Sequence, residues 1–194
     1  VDVAREAADF VLLEHDLDVV CKGIHEGRHT FANTLKYIFT TTSANFGNMI
    51  SMAVASLFLP FLPLLAKQIL LNNFLSDIPA MGIAGDNVDR SWDVTPHRWD
   101  IRLVRNFMIT FGLISTVFDL LTFGVLLHMA GEVAEVFRSG WFVESLLTEL
   151  LILFVIRTHK PFYRSRPGMF LIWSSAVVIA ITLMLPYLRI AALF

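Results

Sequence analysis

The sequence predicts an all-α polytopic membrane helix bundle, and two observations predict it. The first is composition: of 194 residues, 56% are hydrophobic and only 16% are charged, with a mean hydropathy of +0.65. An ordinary soluble domain carries about 25% charged residues, so this balance rules out disorder and argues against a water-soluble globule. The second is the recurrence, after residue 40, of apolar runs long enough to cross roughly 30 Å of hydrocarbon, separated by short polar or Pro/Gly-marked loops. Lipid admits only helices or closed barrels, and these runs lack the alternation of barrel strands, so they are read as helices. The charge balance, 15 Lys+Arg against 17 Asp+Glu, gives no basic excess for nucleic acid. The single cysteine, Cys21, permits no internal disulfide. Val1 opens the chain without a charged-then-apolar leader, so a piece of something longer is expected.

Taken in order, residues 1–16 form a short segment apart from the rest, with Phe10–Leu13 of strand type. From Leu17, the residues Val20, Ile24, Phe31, Leu35 and Ile38 follow helical spacing, with Asp16 or Asp18 as N-cap. Gly23 and Gly27 weaken this helix, but no proline precedes Pro60, so a stalk over 17–41 is expected to run as one rod into the membrane. Five spans follow, at about 42–65, 69–85, 106–129, 141–156 and 168–187, with Pro60 and Pro63 turning the first link into a hairpin. Lys and Arg favour the cytoplasmic side. Arg5, Lys22, Arg28 and Lys36 precede the first span, Arg90, Arg98, Arg102 and Arg105 separate spans two and three, and Arg157, Lys160, Arg164 and Arg166 separate four and five. The opposite loops hold Lys67, Arg138 and Arg189. Residues 1–41 are therefore expected to be cytoplasmic, in a multi-pass protein of the cell membrane, and the apolar end at 190–194 reads as a chain that continues.

A charge at the bilayer centre costs roughly 2.5 to 3.5 kcal/mol on insertion scales, so an ionisable group there points to function. Asp77, Asp119, Glu144 and Glu149 lie within the apolar runs, while every Lys and Arg lies outside them. Carboxylates without an internal cation hold a proton or await a cation, which favours a cation pathway. Asn73 and Asp77 at i and i+4 share a helical face, Ser76 adds a hydroxyl, and Pro79 deprives the Leu75 carbonyl of its helical donor. An amide, a carboxylate and freed carbonyls beside a broken helix are how transporters build cation sites. Oxygen-only ligation suits Mg2+, Ca2+ or a proton better than zinc or copper. Asn45 and Asn48 supply a second amide face, beside Gly47 where another backbone can approach closely. Amides of this kind also simply glue membrane helices together. Glu149 faces away from Glu144 and lies deeper, as a supplementary ligand; Asp119 and Glu144 are read as structural or peripheral.

Two other patterns compete. His25-Glu26-Gly27-Arg28-His29 spells H-E-x-x-H, the zinc-protease signature, but it lies in a polar stretch with no evident third ligand and is read as a solvated helix. Gly85–Asp89 is read as a loop rather than a phosphatase-type motif. Arg157–Pro167 is read as a topological anchor that contacts lipid headgroups.

The runs TFANTLKYI (Thr30–Ile38), SANFGN (Ser43–Asn48), FLPFLP (Phe58–Pro63), NFLSD (Asn73–Asp77) and DNVD (Asp86–Asp89) together resemble the bacterial magnesium-transporting P-type ATPases over essentially the whole chain. The opening VDVAREAADFVLLEHDLDVV is similar to the end of their HAD-like phosphorylation domain. The resemblance implies a small cytoplasmic α/β remnant at 1–16, a stalk at 17–41, and a membrane domain at 42–194 whose spans are transmembrane helices five to nine of ten. It implies ion ligands at Asn45 and Asn48 in helix five, Asn73 and Asp77 in helix six, and Glu149 in helix eight. Asn48 is an amide where calcium pumps carry a carboxylate, and the stretch from Asp77 to its proline is shorter than in those pumps.

No DKTGT, no TGE loop and no nucleotide-binding domain occur in these residues. The fragment is therefore expected to carry part of an ion site but no catalytic machinery. The resemblance implies Mg2+ as transported ion, ATP and Mg2+ in the parent pump, and a lipid bilayer and the N-terminal remainder of the pump as partners. The alternatives are a calcium or proton pump of the same architecture, a passive cation-binding membrane module, and a membrane-associated zinc protease using His25 and His29.

Overall fold

The computed structural model describes residues 2–13, 16–90, 92, 96–131, 133–158 and 160–188. Arg189 and the apolar end at 190–194 lie outside the described residues, as do Glu14 and His15 of the opening segment. A short helix α1 (Asp2–Glu6) is followed by α2 (Leu17–Phe58), α3 (Ala66–Met81), α4 (Ile101–Ala130), α5 (Ala134–Ile156) and α6 (Met169–Met184). No strand occurs among the described residues. Phe10–Leu13 adopts no regular structure and is exposed; a lone apolar segment has no neighbouring edge to pair with.

The rod is real. Asp16 caps α2 by accepting from the Asp18 N–H at 2.9 Å, and the helix then runs 42 residues without a break, about 63 Å at 1.5 Å per residue. Its buried residues begin only at Ala32 and recur as Leu35, Lys36, Phe39, Thr40, Ser43, Ala44, Gly47, Ser51 and Ala55, one stripe of helical period. Residues 17–27 are mostly exposed. The first turns therefore stand clear of the bundle, while the rest packs chiefly on α4. The two helices meet at glycines: a Cβ on Gly47 would lie 3.0 Å from the Gly112 carbonyl oxygen, and one on Gly112 would lie 3.2 Å from the Gly47 nitrogen. Thr116 Oγ1, on the same face of α4, donates to the Gly112 carbonyl at 2.9 Å.

The link 59–65 reverses the chain, and Arg138 at the start of α5 holds it by donating from Nε to the Leu62 carbonyl at 2.9 Å. Leu75, Phe123, Phe137, Trp141, Phe142, Leu146, Leu150 and Val178 form the central core between α3, α4, α5 and α6. A second cluster of Leu35, Phe39, Val104 and Ile156 joins the stalk side of α2 to α4 and α5.

Among the described residues, three helices are long and apolar enough to cross a membrane: Ile101–Met129, Ala134–Ile156 and Met169–Tyr187. They coincide with the third, fourth and fifth expected spans. In the first two, α2 carries amides and hydroxyls along its second half, and α3 has only 16 residues, short of the roughly 20 that span hydrocarbon. Pro79 does not break α3, which continues to Met81 and tightens into a 3-10 segment at Gly82–Gly85. Gly82 is required there, since a Cβ would come within 3.1 Å of the Leu171 Cα on α6.

Candidate functional site

Each expected ligand can be placed. Asn45 is exposed on α2, its Nδ2 donating to the Thr41 carbonyl at 2.9 Å. Asn48, half-buried on the same helix, accepts at Oδ1 from Ser145 Oγ of α5 at 3.1 Å. On α3, Asn73 is half-buried and its carbonyl accepts from Ser76 Oγ at 3.1 Å, while Asp77 is exposed. Asp77 shares its outward face with the exposed Leu70, Phe74 and Met81, at spacings of seven, three and four residues. Glu149 of α5 lies on the inner side of α3, close to Ser76 and near Asp77. No hydrogen bond among the described residues joins Asn45, Asn48, Asn73 and Asp77 to one another. Asn45 and Asp77 are exposed and Asn48 and Asn73 half-buried, so the four do not form a closed cage among the described residues.

Asp119 is a different case. It is 1% exposed, and both its oxygens are satisfied: Trp141 Nε1 donates to Oδ1 at 2.9 Å, and Ser51 Oγ donates to Oδ2. Three helices, α2, α4 and α5, are thereby joined through one carboxyl. Glu144 accepts at Oε1 from Thr148 Oγ1 at 2.8 Å and lies beside Asp119. Asp119 is thus held within the packing of the bundle, whereas Glu144 Oε2 is buried without a hydrogen-bond partner among the described residues.

His25 and His29 lie on the exposed stalk, with ring centroids 6.2 Å apart. Among the described residues, no group of three His, Cys, Asp or Glu side chains is placed to hold a metal ion. The zinc-protease pattern therefore has two candidate ligands and no third among the described residues.

A buried charged cluster that sequence reasoning missed lies at the other end of the bundle, around Asp86. Its Oδ2 accepts from Arg157 Nε at 2.9 Å and Lys36 Nζ at 3.3 Å, and its Oδ1 from the Gly168 N–H at 2.9 Å. Asn33 Nδ2 donates to the Asp86 carbonyl at 3.0 Å, and Lys36 also donates to the Asn87 carbonyl at 2.9 Å. Arg157 uses Nη2 to reach the Arg166 carbonyl at 2.9 Å. Burial pulls the Lys36 ammonium below the ordinary lysine range, and the Asp86 carboxylate opposes that pull. Arg157, expected as a headgroup anchor, is 1% exposed and instead closes a knot between the stalk, the loop after α3 and the loop before α6. The available signal was an arginine directly ending an apolar helix, whereas Lys160 and Arg164, further along the loop, are exposed.

Comparison with known proteins fits this architecture. Residues 61–194 match the family described as "Cation transporting ATPase, C-terminus". Over 197 aligned residues the chain is 44% identical to the "Magnesium-transporting ATPase, P-type 1" of Salmonella typhimurium and 45% identical to that of Escherichia coli K12, covering 99% of this chain and 22% of each relative. A more distant relative, the "Calcium-transporting ATPase" of Bacillus subtilis, is 28% identical over 190 residues, 95% of this chain and 21% of that protein. The chain thus spans about a fifth of the length of the curated relatives it matches. With its apolar helices and this match, it is a multi-pass membrane protein, and it belongs to the family of cation-transporting ATPase C-terminal regions.

Proposed function

We propose that this chain is the membrane part of a P-type pump that uses ATP to move Mg2+ across the cytoplasmic membrane, and that Asn45, Asn48, Asn73, Asp77 and Glu149 supply oxygen ligands to the ion. The observation that carries this reading is Asp77: a carboxylate set among exposed Leu70, Phe74 and Met81 on a helix of a membrane protein. Left against lipid it would be costly. The arrangement is stable once another segment of the longer protein covers the face and a cation meets the carboxylate. A ligand set of three amides and two carboxylates is oxygen-only, and Mg2+ is bound by one or two carboxylates while keeping several waters.

In this reading residues 1–16 belong to a cytoplasmic phosphorylation domain, and α2 transmits its movements. A helix without a break from Leu17 to Phe58 moves as a rod, so a tilt at its cytoplasmic end displaces Asn45 and Asn48 against Asn73 and Asp77. Lys36, inside the knot with Asp86, makes the loops beside α3 and α6 follow the same motion. The supporting relatives are named for magnesium transport at 44–45% identity and for calcium transport at 28%, and the amide at Asn48 keeps the site's negative charge low, which favours Mg2+ over Ca2+.

The test uses the full-length pump in proteoliposomes. Asp77→Asn is expected to abolish Mg2+-stimulated ATP turnover while membrane insertion is unchanged. Undiminished stimulation would remove Asp77 from the site.

A further inference from the structure

Helix α3 has a second polar face, turned inward. Gln68, Asn72, Ser76 and Ala80 follow one another at four-residue steps and all are buried. Gln68 is accounted for, because its Oε1 accepts from the Leu65 N–H at 2.9 Å. Asn72 is not: it is 2% exposed, and its Oδ1 has no hydrogen-bond partner among the described residues. Across from it, Ser175 of α6 is also 2% exposed with its Oγ unpartnered, and Glu149 of α5 buries an unpartnered Oε2.

The register places these atoms in one layer. Leu171 of α6 packs with Ala80, Ile83 and Leu153, and Val178 belongs to the core with Leu75, Leu146 and Leu150. Ser175 lies one turn beyond Leu171 and one turn before Val178, on the buried face of α6 formed by Leu171, Ser175, Val178 and Thr182. It therefore stands at the level of Ser76 and Glu149, each one turn from Ala80 and Leu153 of that layer, with Asn72 one turn away on the same line of α3.

An amide oxygen and a carboxylate oxygen only accept hydrogen bonds. A buried polar atom without a partner costs about 1–3 kcal/mol, so acceptors gathered between three helices call for a shared complement of opposite polarity. From this geometry we infer that Asn72, Glu149 and Ser175, with Ser76 beside them, form a second cation pocket behind α3, for a partly hydrated hard divalent ion. Oxygen-only donors with one carboxylate suit such an ion. The pocket goes beyond the pump reading above, in which Asn72 and Ser175 have no part. Glu149 is common to both, which makes the two sites sensitive to each other's occupancy.

The experiment is equilibrium Mg2+ binding to the purified full-length protein without nucleotide, alongside Mg2+-stimulated ATP turnover. Asn72→Leu combined with Ser175→Ala is expected to lose one bound Mg2+ per chain relative to the unaltered protein, and Asp77→Asn to lose a different one. Asn72→Asp, which adds charge at the same position, is expected to tighten the retained ion roughly tenfold. Unchanged Mg2+ stoichiometry in the double variant, or unchanged affinity in Asn72→Asp, would overturn the pocket, since a merely structural asparagine replaced by leucine relieves a buried orphan and leaves binding alone. If Asp77→Asn retains full binding and turnover while the double variant loses an ion, the front face fails and the rear pocket stands.

Discussion

Two cations and a backbone N–H converge on the carboxylate of Asp86, which is 0% exposed, as is the side chain of its partner Arg157. Removing one member of a buried ion pair leaves the others charged and unpaired, at a cost of about 3–5 kcal/mol. Asp86→Ala is therefore expected to lower the thermal unfolding midpoint of the full-length protein sharply, with Asp86→Asn intermediate because its amide oxygen still accepts from Gly168; scanning fluorimetry of the three proteins checks the order. The same residue shows the limit of reading a sequence. Asp77 and Asn73 stand out because they are polar in an apolar run, a signal contained in a few neighbouring residues. Asp86 sits in an ordinary-looking polar loop, and its partners lie 50 and 71 positions away, so nothing local distinguishes it from a solvated aspartate.

Among the elements, the α2–α4 crossing is set by absent side chains. At Gly112 a Cβ would stand 2.6 Å from Phe46 Cδ1 and 3.2 Å from the Ser43 carbonyl oxygen, whereas at Gly124, three turns along the same helix, nothing lies within 4 Å. Gly112→Ala is expected to push the helices apart and destabilise by about 1–3 kcal/mol. Gly124→Ala is expected to be neutral or stabilising by up to about 1 kcal/mol, since alanine favours the helix. The contrast, read from unfolding midpoints of the two variants, separates close approach from helix propensity. Gly47 was legible as a place for close approach from its setting between Asn45 and Asn48; which helix arrives there was not. The expected break at Pro79 likewise became a continuous helix, because the packing of Ala80 and Ile83 on Leu153 and Leu171 holds the last turn in place and moves the change of pitch to Gly82.

For the molecule as a whole, the exposed first turns of α2 and the buried remainder divide one rod into a free lever and an anchored shaft. Lys22 is exposed and belongs to the free part. A proline in a helix interior removes a hydrogen bond and costs about 3 kcal/mol, so, on the pump reading proposed above, Lys22→Pro is expected to leave the bundle folded but to reduce the Mg2+ moved per ATP hydrolysed several-fold. Lys22→Ala should match the unaltered protein, and transport-to-hydrolysis ratios in proteoliposomes check both. The outward residues of α4, among them Leu113, Val117, Phe118, Leu121 and Val125, are large, apolar and exposed, as a surface facing hydrocarbon demands.

By itself the sequence determined what the medium imposes: apolar runs of spanning length, a stalk with no proline to interrupt it, and oxygen-bearing residues conspicuous within lipid-length segments. These are local properties, because hydrocarbon solvates every residue of a helix alike and penalises each polar group where it stands. Only the tertiary structure decided which polar groups are answered and by whom. Asp119 is satisfied by Ser51 and Trp141, Asp86 by Lys36 and Arg157, and Asp77 faces outward while Asn72 and Ser175 turn an unpartnered oxygen inward. Such pairings depend on how helices distant in sequence rotate about their axes, and that rotation is fixed by packing between them.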